Sequence, residues 1–197
     1  MEAVSLAGFG LCFALSERRD AFSWAWLGLY ALHYGYRSFV YPFLGSQKGA
    51  PVPVSVSGLA VVFNAFNGTI LGGALFGAAS GGWVPTGWTA LGFALFGVGF
   101  AVHVHADSVL RNLRKIHGPG YHMPKGGLYR WVSCPNYLGE IMEWIGFAIM
   151  MNHLAGWTFA VWTAANLVPR AVAHHRWYRA RFDDYPARRK AIVPGVL

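Results

Sequence analysis

The stretch HVHADSVLRNLRKIHGPGYHMPKGGLYRWVSCPNYLGEIMEW, His103–Trp144, decides how this chain is interpreted. It is the most polar part of an oily sequence, and long runs rich in Gly, Ala, Phe and Trp flank it on both sides. Polar residues that interrupt apolar segments are costly inside a membrane and usually serve a function. We therefore predict that this stretch, together with the C-terminal tail, forms a cofactor site on the face of a membrane-embedded helical bundle.

The composition is typical of a membrane protein. Of the 197 residues, 55% are hydrophobic and 12% are charged, whereas about a quarter of the residues in soluble domains are charged. The formal net charge of +8 would suggest a nucleic-acid partner in a soluble protein. Here the basic residues lie in predicted loops and in the tail, so the positive-inside rule explains the charge and places that side in the cytoplasm. We expect no nucleic-acid partner.

Six segments are predicted to cross the membrane, since a helical span needs about 20 mostly apolar residues. Charged residues and Gly/Pro-rich turns separate them. The segments are Ala3–Ser16, Ala21–Leu44, Val54–Ala79, Trp88–His105 with its helix continuing through Lys115, Asn136–Met151 and Trp157–His174. We therefore expect one domain, residues 1–197, with an all-α transmembrane bundle of about six spans. Cytosolic loops and a basic tail that ends at Leu197 would form the cofactor site.

A cationic stripe follows the fourth predicted span. Asp107, Arg111, Arg114 and Lys115 lie at positions i, i+4, i+7 and i+8, so they share one face of a helix. The three cations suit phosphate groups, because arginine binds them through its planar fork and lysine as a point charge. A set of basic residues that only stops the helix at the membrane surface would give the same pattern.

Two further stripes lie on the last two spans. Asn136, Glu140 and Glu143 recur at i, i+4 and i+7 in an apolar helix, where a carboxylate is expensive unless it is paired or faces a polar cavity. The alternative is a carboxylate tied to an arginine only for packing. Arg170, His174 and Tyr178 form the last stripe. For most of the residues from 179 to 190, a solvated basic tail is the simpler interpretation.

Histidines and a tyrosine complete the candidate chemistry. His103 and His105 point apart on a helix, whereas His103 and Asp107 can meet at i+4. No third ligand has a suitable spacing, so we expect no metal site. Tyr34 can donate a hydrogen bond to a substrate carbonyl, although an isolated tyrosine at this depth is more often an interfacial aromatic. The chain has no G-x-G-x-x-G pattern after a strand, so a bound nucleotide would not occupy a Rossmann fold.

A resemblance to a known family rests on five segments. They are HYGYRSFVYPF (His33–Phe43), Asn67-Gly68, HADSVLRNLRK (His105–Lys115), YHMPKGGLYRWVSCPNYLGEIMEW (Tyr121–Trp144) and HHRWYRARFDDYPARRKAIVP (His174–Pro194). In order and spacing they resemble the steroid 5-alpha-reductase family of NADPH-dependent membrane reductases, over nearly the whole chain. The resemblance implies hydride transfer from NADPH to the beta carbon of an α,β-unsaturated ketone, above all the Δ4 bond of a 3-oxo steroid.

The resemblance also implies roles for individual residues. Tyr34 would bind the substrate carbonyl with the help of Glu2, and Glu140 would contact the substrate as well. Cofactor binding would fall to Asn67, His103, Asp107, Arg111, Arg114, Tyr121, His122, Asn136, Glu140, Arg170, His174 and Tyr178, and also to Lys48. His103 departs from a family position that is often Asn, and Met1 stands where the family has a Gln. The family's first transmembrane helix has no counterpart here, so either the start is truncated or a shorter variant works without that helix.

Other activities remain open from the sequence. The wording SCPNY and WIGFAIM is also similar to trans-2-enoyl-CoA reductases, and the C-terminal half is similar to membrane methyltransferases of the isoprenylcysteine type, which use S-adenosylmethionine. A non-catalytic lipid-binding bundle is a third alternative. We expect a monomer that binds a lipid-like enone and membrane lipids. We expect it in a bacterial inner membrane, with the cofactor site and both termini on the cytoplasmic side.

Overall fold

The computed structural model describes residues 1–44, 52–77, 85–118, 120 and 122–197. Within these residues the chain is helical, and the one β-contact is an isolated parallel bridge between Val132 and Lys190. The residues divide into two compact units, Met1–Pro85 and Thr86–Leu197. The all-α class expected from the sequence is confirmed, and the single reductase domain remains a prediction.

The described part of the first unit consists of helices, α1 (Ala3–Leu15), α2 (Ala21–Gly35), a π-helical segment (Tyr36–Val40), α3 (Tyr41–Leu44) and α4 (Val54–Phe76). Asp20 starts α2, since its carboxylate accepts hydrogen bonds from the backbone N–H groups of Phe22 and Ser23. Small residues let α1 and α4 approach closely. A Cβ atom added at Gly72 would lie 2.8 Å from Cβ of Cys12, so glycine is needed there.

The second unit contains α5 (Thr89–His117), a 3₁₀ turn (Gly127–Arg130), α6 (Pro135–Met151) and α7 (Leu154–Arg181). Helices α5 and α6 lie backbone to backbone where Gly99 faces Gly139. A Cβ atom added to either glycine would come 2.6 Å from the carbonyl oxygen of the other. This contact brings the polar stripe of α6 against the polar end of α5.

Helices occupy all six predicted segments, but with different ends. Helix α5 reaches His117 and α7 continues to Arg181, seven residues beyond the predicted span, because polar residues can extend a helix past the apolar layer. Two helices, Val54–Phe76 and Thr89–His117, are long and apolar enough to cross a membrane. These support a membrane protein, and the count of six spans remains a prediction.

Candidate functional site

In the first unit, four polar side chains meet between α1, α2 and α4. Nδ2 of Asn67 lies 3.1 Å from the hydroxyl of Tyr34, 3.3 Å from that of Tyr30 and 3.4 Å from that of Ser5. The hydroxyls of Ser5 and Tyr30 are 2.7 Å apart. All four side chains are buried. Asn67 therefore donates to the hydroxyl oxygen of Tyr34 and helps to fix the position of the phenol.

Glu2 lies at the start of α1 and forms an ion pair with Arg37. Nε and Nη2 of Arg37 donate to the two carboxylate oxygens at 3.2 and 2.9 Å, a forked contact. Burial raises the pKa of Glu2, but the charge and hydrogen bonds of Arg37 outweigh it and lower the pKa below its ordinary value. The structure thus places Glu2 against Arg37, and the predicted help of Glu2 to Tyr34 remains a prediction.

The π-helical segment follows directly after Tyr34 and Gly35. Such segments are rare and often occur at functional sites, because the extra residue re-aims the side chains beside it. Arg37, whose guanidinium pairs with Glu2, lies in this segment. Sequence reasoning did not predict this distortion, since no proline or glycine pair marks it.

In the second unit, His103 lies between two carboxylates. Its Nδ1 is 2.8 Å from Oε1 of Glu143, and its Nε2 is 3.4 Å from Oδ2 of Asp107. All three side chains are at most 3% exposed. Nδ2 of Asn136 donates to Oδ1 of Asp107 at 3.4 Å. The structure shows the contact of His103 with Asp107 that the spacing allows, and it pairs Glu143 of α6 with His103.

One acceptor atom of this network lacks a hydrogen-bond partner. Oδ2 of Asp107 is buried and has no hydrogen-bond partner among the described residues, although Nε2 of His103 lies within ion-pair distance. A buried carboxylate oxygen without a donor is costly, so a donor from a bound molecule would stabilise it. The ribose hydroxyls and carboxamide of a nicotinamide cofactor carry such donors, and in this respect Asp107 fits the predicted cofactor.

Cationic groups lie at the polar end of this unit. Arg111 and Arg114 are half-buried on the last turns of α5, while Arg170 is exposed and His174 half-buried on α7. Tyr178 lies on α7, past the end of the sixth predicted span, and its side chain is buried. Burial, then the neighbouring Cys134 and Tyr185, raises the pKa of Tyr178 to about 12, and the charges of Arg114 and Arg189 act against the rise.

Of the remaining predicted cofactor residues, the structure describes His122 and Glu140. His122 is half-buried, its Nε2 lies 3.2 Å from the carbonyl oxygen of Gly118, and its ring lies beside that of His117. Glu140 is half-buried on α6. Tyr121 and Lys48 lie outside the described residues.

The tail contains polar residues that sequence reasoning missed. The hydroxyl oxygen of Ser133 lies 2.7 Å from Nδ1 of His175 and also contacts the hydroxyl of Tyr185. The guanidinium of Arg189 stacks on the ring of Tyr185 at 5.0 Å and is 3% exposed. The solvated-tail interpretation, which covers most of these residues, fits the exposed Arg179, Arg181 and Arg188, and the buried Arg189 is an exception to it. The apolar residues Ala191 and Ile192 are the sequence signal, because they need a buried partner.

A separate apolar groove of about 610 Å³ lies between α5 and the 3₁₀ turn. It is lined by Val98, Ala101, Val102, His105, Gly127, Leu128, Arg130 and Trp131. None of the predicted cofactor residues lines it. The groove is therefore distinct from the polar network around His103.

Known proteins of one family are similar to this chain. The family model described as 3-oxo-5-alpha-steroid 4-dehydrogenase matches residues 50–197. The chain is 39% identical to 3-oxo-5-alpha-steroid 4-dehydrogenase 1 of Bos taurus, over 87% of this chain and 67% of the relative. It is 39% identical to the protein of the same name of Homo sapiens, over 87% of this chain and 66% of the relative.

A plant relative is similar to the same degree. The chain is 42% identical to steroid 5-alpha-reductase DET2 of Solanum lycopersicum, over 84% of this chain and 66% of the relative. The chain thus spans about two thirds of the length of the curated relatives it matches. On the family model and on these identities, the chain belongs to the 3-oxo-5-alpha-steroid 4-dehydrogenase family.

Proposed function

We propose that this protein reduces the C=C bond of an α,β-unsaturated ketone with NADPH, and that its substrate is a 3-oxo-Δ4 steroid. Family membership and the names of the relatives support the reaction. The observation that carries it in the structure is the buried Tyr34 hydroxyl, which Asn67 holds from α4 at 3.1 Å. A fixed, buried hydroxyl is the donor that a carbonyl needs when negative charge develops on its oxygen.

The chemistry of the donors supports NADPH as the cofactor. Arg111 and Arg114 offer cations for a diphosphate and a 2′-phosphate, and Oδ2 of Asp107 offers a buried acceptor that has no hydrogen-bond partner among the described residues. Asn136 and His103 hold that carboxylate in place. A bound NADPH would supply the hydride, while the protein supplies orientation and electrostatics.

The residues of the chain would act on the substrate through its carbonyl. The Tyr34 hydroxyl donates a hydrogen bond to the carbonyl oxygen, which lowers the energy of the enolate that forms as the beta carbon gains a hydride. A proton taken up from solvent then reaches the alpha carbon and gives the saturated ketone. Asn67 donates to the Tyr34 hydroxyl oxygen and so holds the phenol in position. The forked ion pair of Glu2 with Arg37 would hold the start of α1 in place beside this cluster.

The setting of the reaction is proposed as a membrane. Two helices are long and apolar enough to span it, and a steroid enone reaches a membrane protein from the lipid. The predicted loops and the tail carry most of the basic residues, so we place the cofactor residues on the cytoplasmic side. Within this proposal the membrane is the inner membrane of a bacterium.

A substrate panel tests the proposal. The purified protein in lipid nanodiscs is incubated with NADPH and, in separate reactions, a 3-oxo-Δ4 steroid, a trans-2-enoyl-CoA and a saturated 3-oxo steroid. Loss of nicotinamide absorbance with the Δ4 steroid, and a product heavier by two hydrogens, would support the proposal. Turnover of the enoyl-CoA alone would move the substrate to the acyl-chain class. Methyl transfer from S-adenosylmethionine, without consumption of NADPH, would overturn it.

A further inference from the structure

The C-terminal tail forms a strap, defined here as residues 185–192, that pairs with the chain ahead of α6. The backbone N–H of Ser133 donates to the carbonyl of Lys190 at 2.9 Å, and that of Cys134 donates to the carbonyl of Ala191 at 3.1 Å. The N–H of Lys190 donates to the carbonyl of Trp131 at 2.8 Å. The strap is thus docked by β-type hydrogen bonds whose amide protons can be followed individually.

Apolar packing completes the docking. Ile192 is 1% exposed and lies in a cluster with Cys134 and Ala171. The half-buried Tyr137, Leu138, Ile141 and Val168 pack against that cluster. The strap therefore ties together the 122–134 loop, the start of α6 and α7, and each of these three segments carries residues predicted to bind the cofactor.

Arg189 is the unusual member of the strap. It is 3% exposed, and Nη2 donates to the carbonyl of Pro124 at 3.2 Å. Nε and Nη1 are buried and have no hydrogen-bond partner among the described residues. The stacked face of Tyr185 is a weak substitute for an anion. Arg189 is thus a buried cation for which the described part of the chain shows no carboxylate partner.

Other positive groups near Arg189 add to this excess of positive charge. Its strap neighbour Lys190 is positive, and His175 lies within the influence of Arg179, Arg189 and Lys190. Arg114, a predicted phosphate ligand, acts electrostatically on the same tyrosine as Arg189, Tyr178. Burial of an uncompensated charge strongly opposes folding. A nearby polyanion would remove part of that cost.

We propose that Arg189 is a positioning residue that couples docking of the strap to binding of a polyanionic nucleotide, the phosphates supplying the counter-charge that the protein lacks. The inference rests on the proposed NADPH site. In the structure Arg189 donates to the loop carbonyl of Pro124, so we assign it no direct contact with the nucleotide. Because coupling is reciprocal, the nucleotide tightens the strap and the docked strap tightens the nucleotide site by the same factor.

Hydrogen exchange of the full-length protein in nanodiscs tests the coupling. Exchange of the amides of Ser133, Cys134 and Lys190 is measured with and without NADPH. Binding itself is followed by energy transfer from tryptophan to the nicotinamide. We expect NADPH to slow these amides by about 5- to 150-fold, the range of typical coupling between sites. In Arg189→Gln the slowing should almost vanish, and NADPH affinity should fall by the same factor.

Matched variants separate coupling from a purely structural role. Arg188→Gln removes an exposed cation beside Arg189 and should behave like the parent protein. Arg189→Lys keeps a cation and should keep most of the coupling, which leaves the inference testable if Arg189→Gln does not fold. Equal slowing by NADPH in the parent and in Arg189→Gln would overturn the inference while leaving the cofactor in place. Absence of energy transfer in the parent would overturn the cofactor assignment, and the coupling with it.

Discussion

Nδ1 of His103 lies 2.8 Å from Oε1 of Glu143, and the two side chains are almost completely buried. The contact joins α5 to α6 close to the point where Gly99 and Gly139 bring the two backbones together. With Nδ1 engaged by Glu143, the ring turns its Nε2 towards Asp107. Glu143, seen in the sequence only as part of a stripe, is therefore the residue that orients His103.

Removal of this carboxylate should destabilise the protein. In Glu143→Ala, the buried imidazole of His103 loses its closest partner, and breaking a buried pair costs about 3–5 kcal/mol. The exposed Glu17, beyond the end of α1, serves as a control, and its change to Ala should stay within about 0.5 kcal/mol. Denaturant unfolding in detergent measures both. The same unfolding midpoint for the two variants would contradict the role given to Glu143.

Two glycines of the second unit should respond in opposite directions to the same substitution. Gly139→Ala forces a methyl group against the backbone of α5, 2.5 Å from the nitrogen of His103, and overpacking of this kind costs about 1–3 kcal/mol. Gly97→Ala adds a methyl group where no atom lies within 4 Å, and the better helix propensity should add up to about 1 kcal/mol. Thermal unfolding of both variants checks the sign, and a loss of stability in Gly97→Ala would argue against this packing.

Tyr34→Phe should affect turnover far more than cofactor affinity. The ring and its packing remain, but the donor to the substrate carbonyl is lost, and loss of one such donor typically lowers kcat by about 10²–10³. Single-turnover kinetics with an enone and NADPH fluorescence measure the two quantities separately.

Arg114→Ala provides the contrasting variant. It removes a charged hydrogen-bond donor for phosphate, worth about 1.5–3 kcal/mol, so NADPH affinity should fall by about tenfold or more. Equal effects of the two variants on turnover and on affinity would contradict the roles of both residues.

Docking of the strap should weaken in mild acid. Burial, followed by the charges of Arg179, Arg189 and Lys190, lowers the pKa of His175 below its ordinary value of 6.5. His175 therefore takes up a proton more readily when the strap is released than when it is docked. Docking is strongest above pH 6.5 and weakens as the pH falls from 6.5 towards the lowered pKa of the docked state. Limited proteolysis of the tail across this range measures the effect, and His175→Gln should flatten it. A strap equally resistant at all these pH values in the parent would refute the assignment.

The helices were predictable because their apolar length and the turn residues between them are local signals. Helices lie in all six predicted segments, and the i, i+4 spacing correctly predicted that His103 meets Asp107. The pairing of Glu143 was predicted only as a requirement for some partner, since spacing within α6 does not reveal which helix faces it.

The strap could not be derived in the same way. Arg188 and Arg189 are adjacent and chemically identical, yet Arg188 is exposed and Arg189 is buried. Their difference depends on which side of the tail faces residues 131–134, and that is a long-range contact. The same holds for Asn67, whose contact with the Tyr34 hydroxyl joins two helices far apart in sequence. Local propensity carries no information on such contacts.

The proposed reaction of this protein passes a hydride from NADPH to the beta carbon of an enone. The most direct test supplies the protein in nanodiscs with NADPH deuterated at the transferred position of the nicotinamide, together with a 3-oxo-Δ4 steroid. Mass spectrometry and NMR then locate the label. We predict one deuterium at the beta carbon of the saturated ketone, with the carbonyl intact. Deuterium at the carbonyl carbon, or a product without deuterium, would contradict the account.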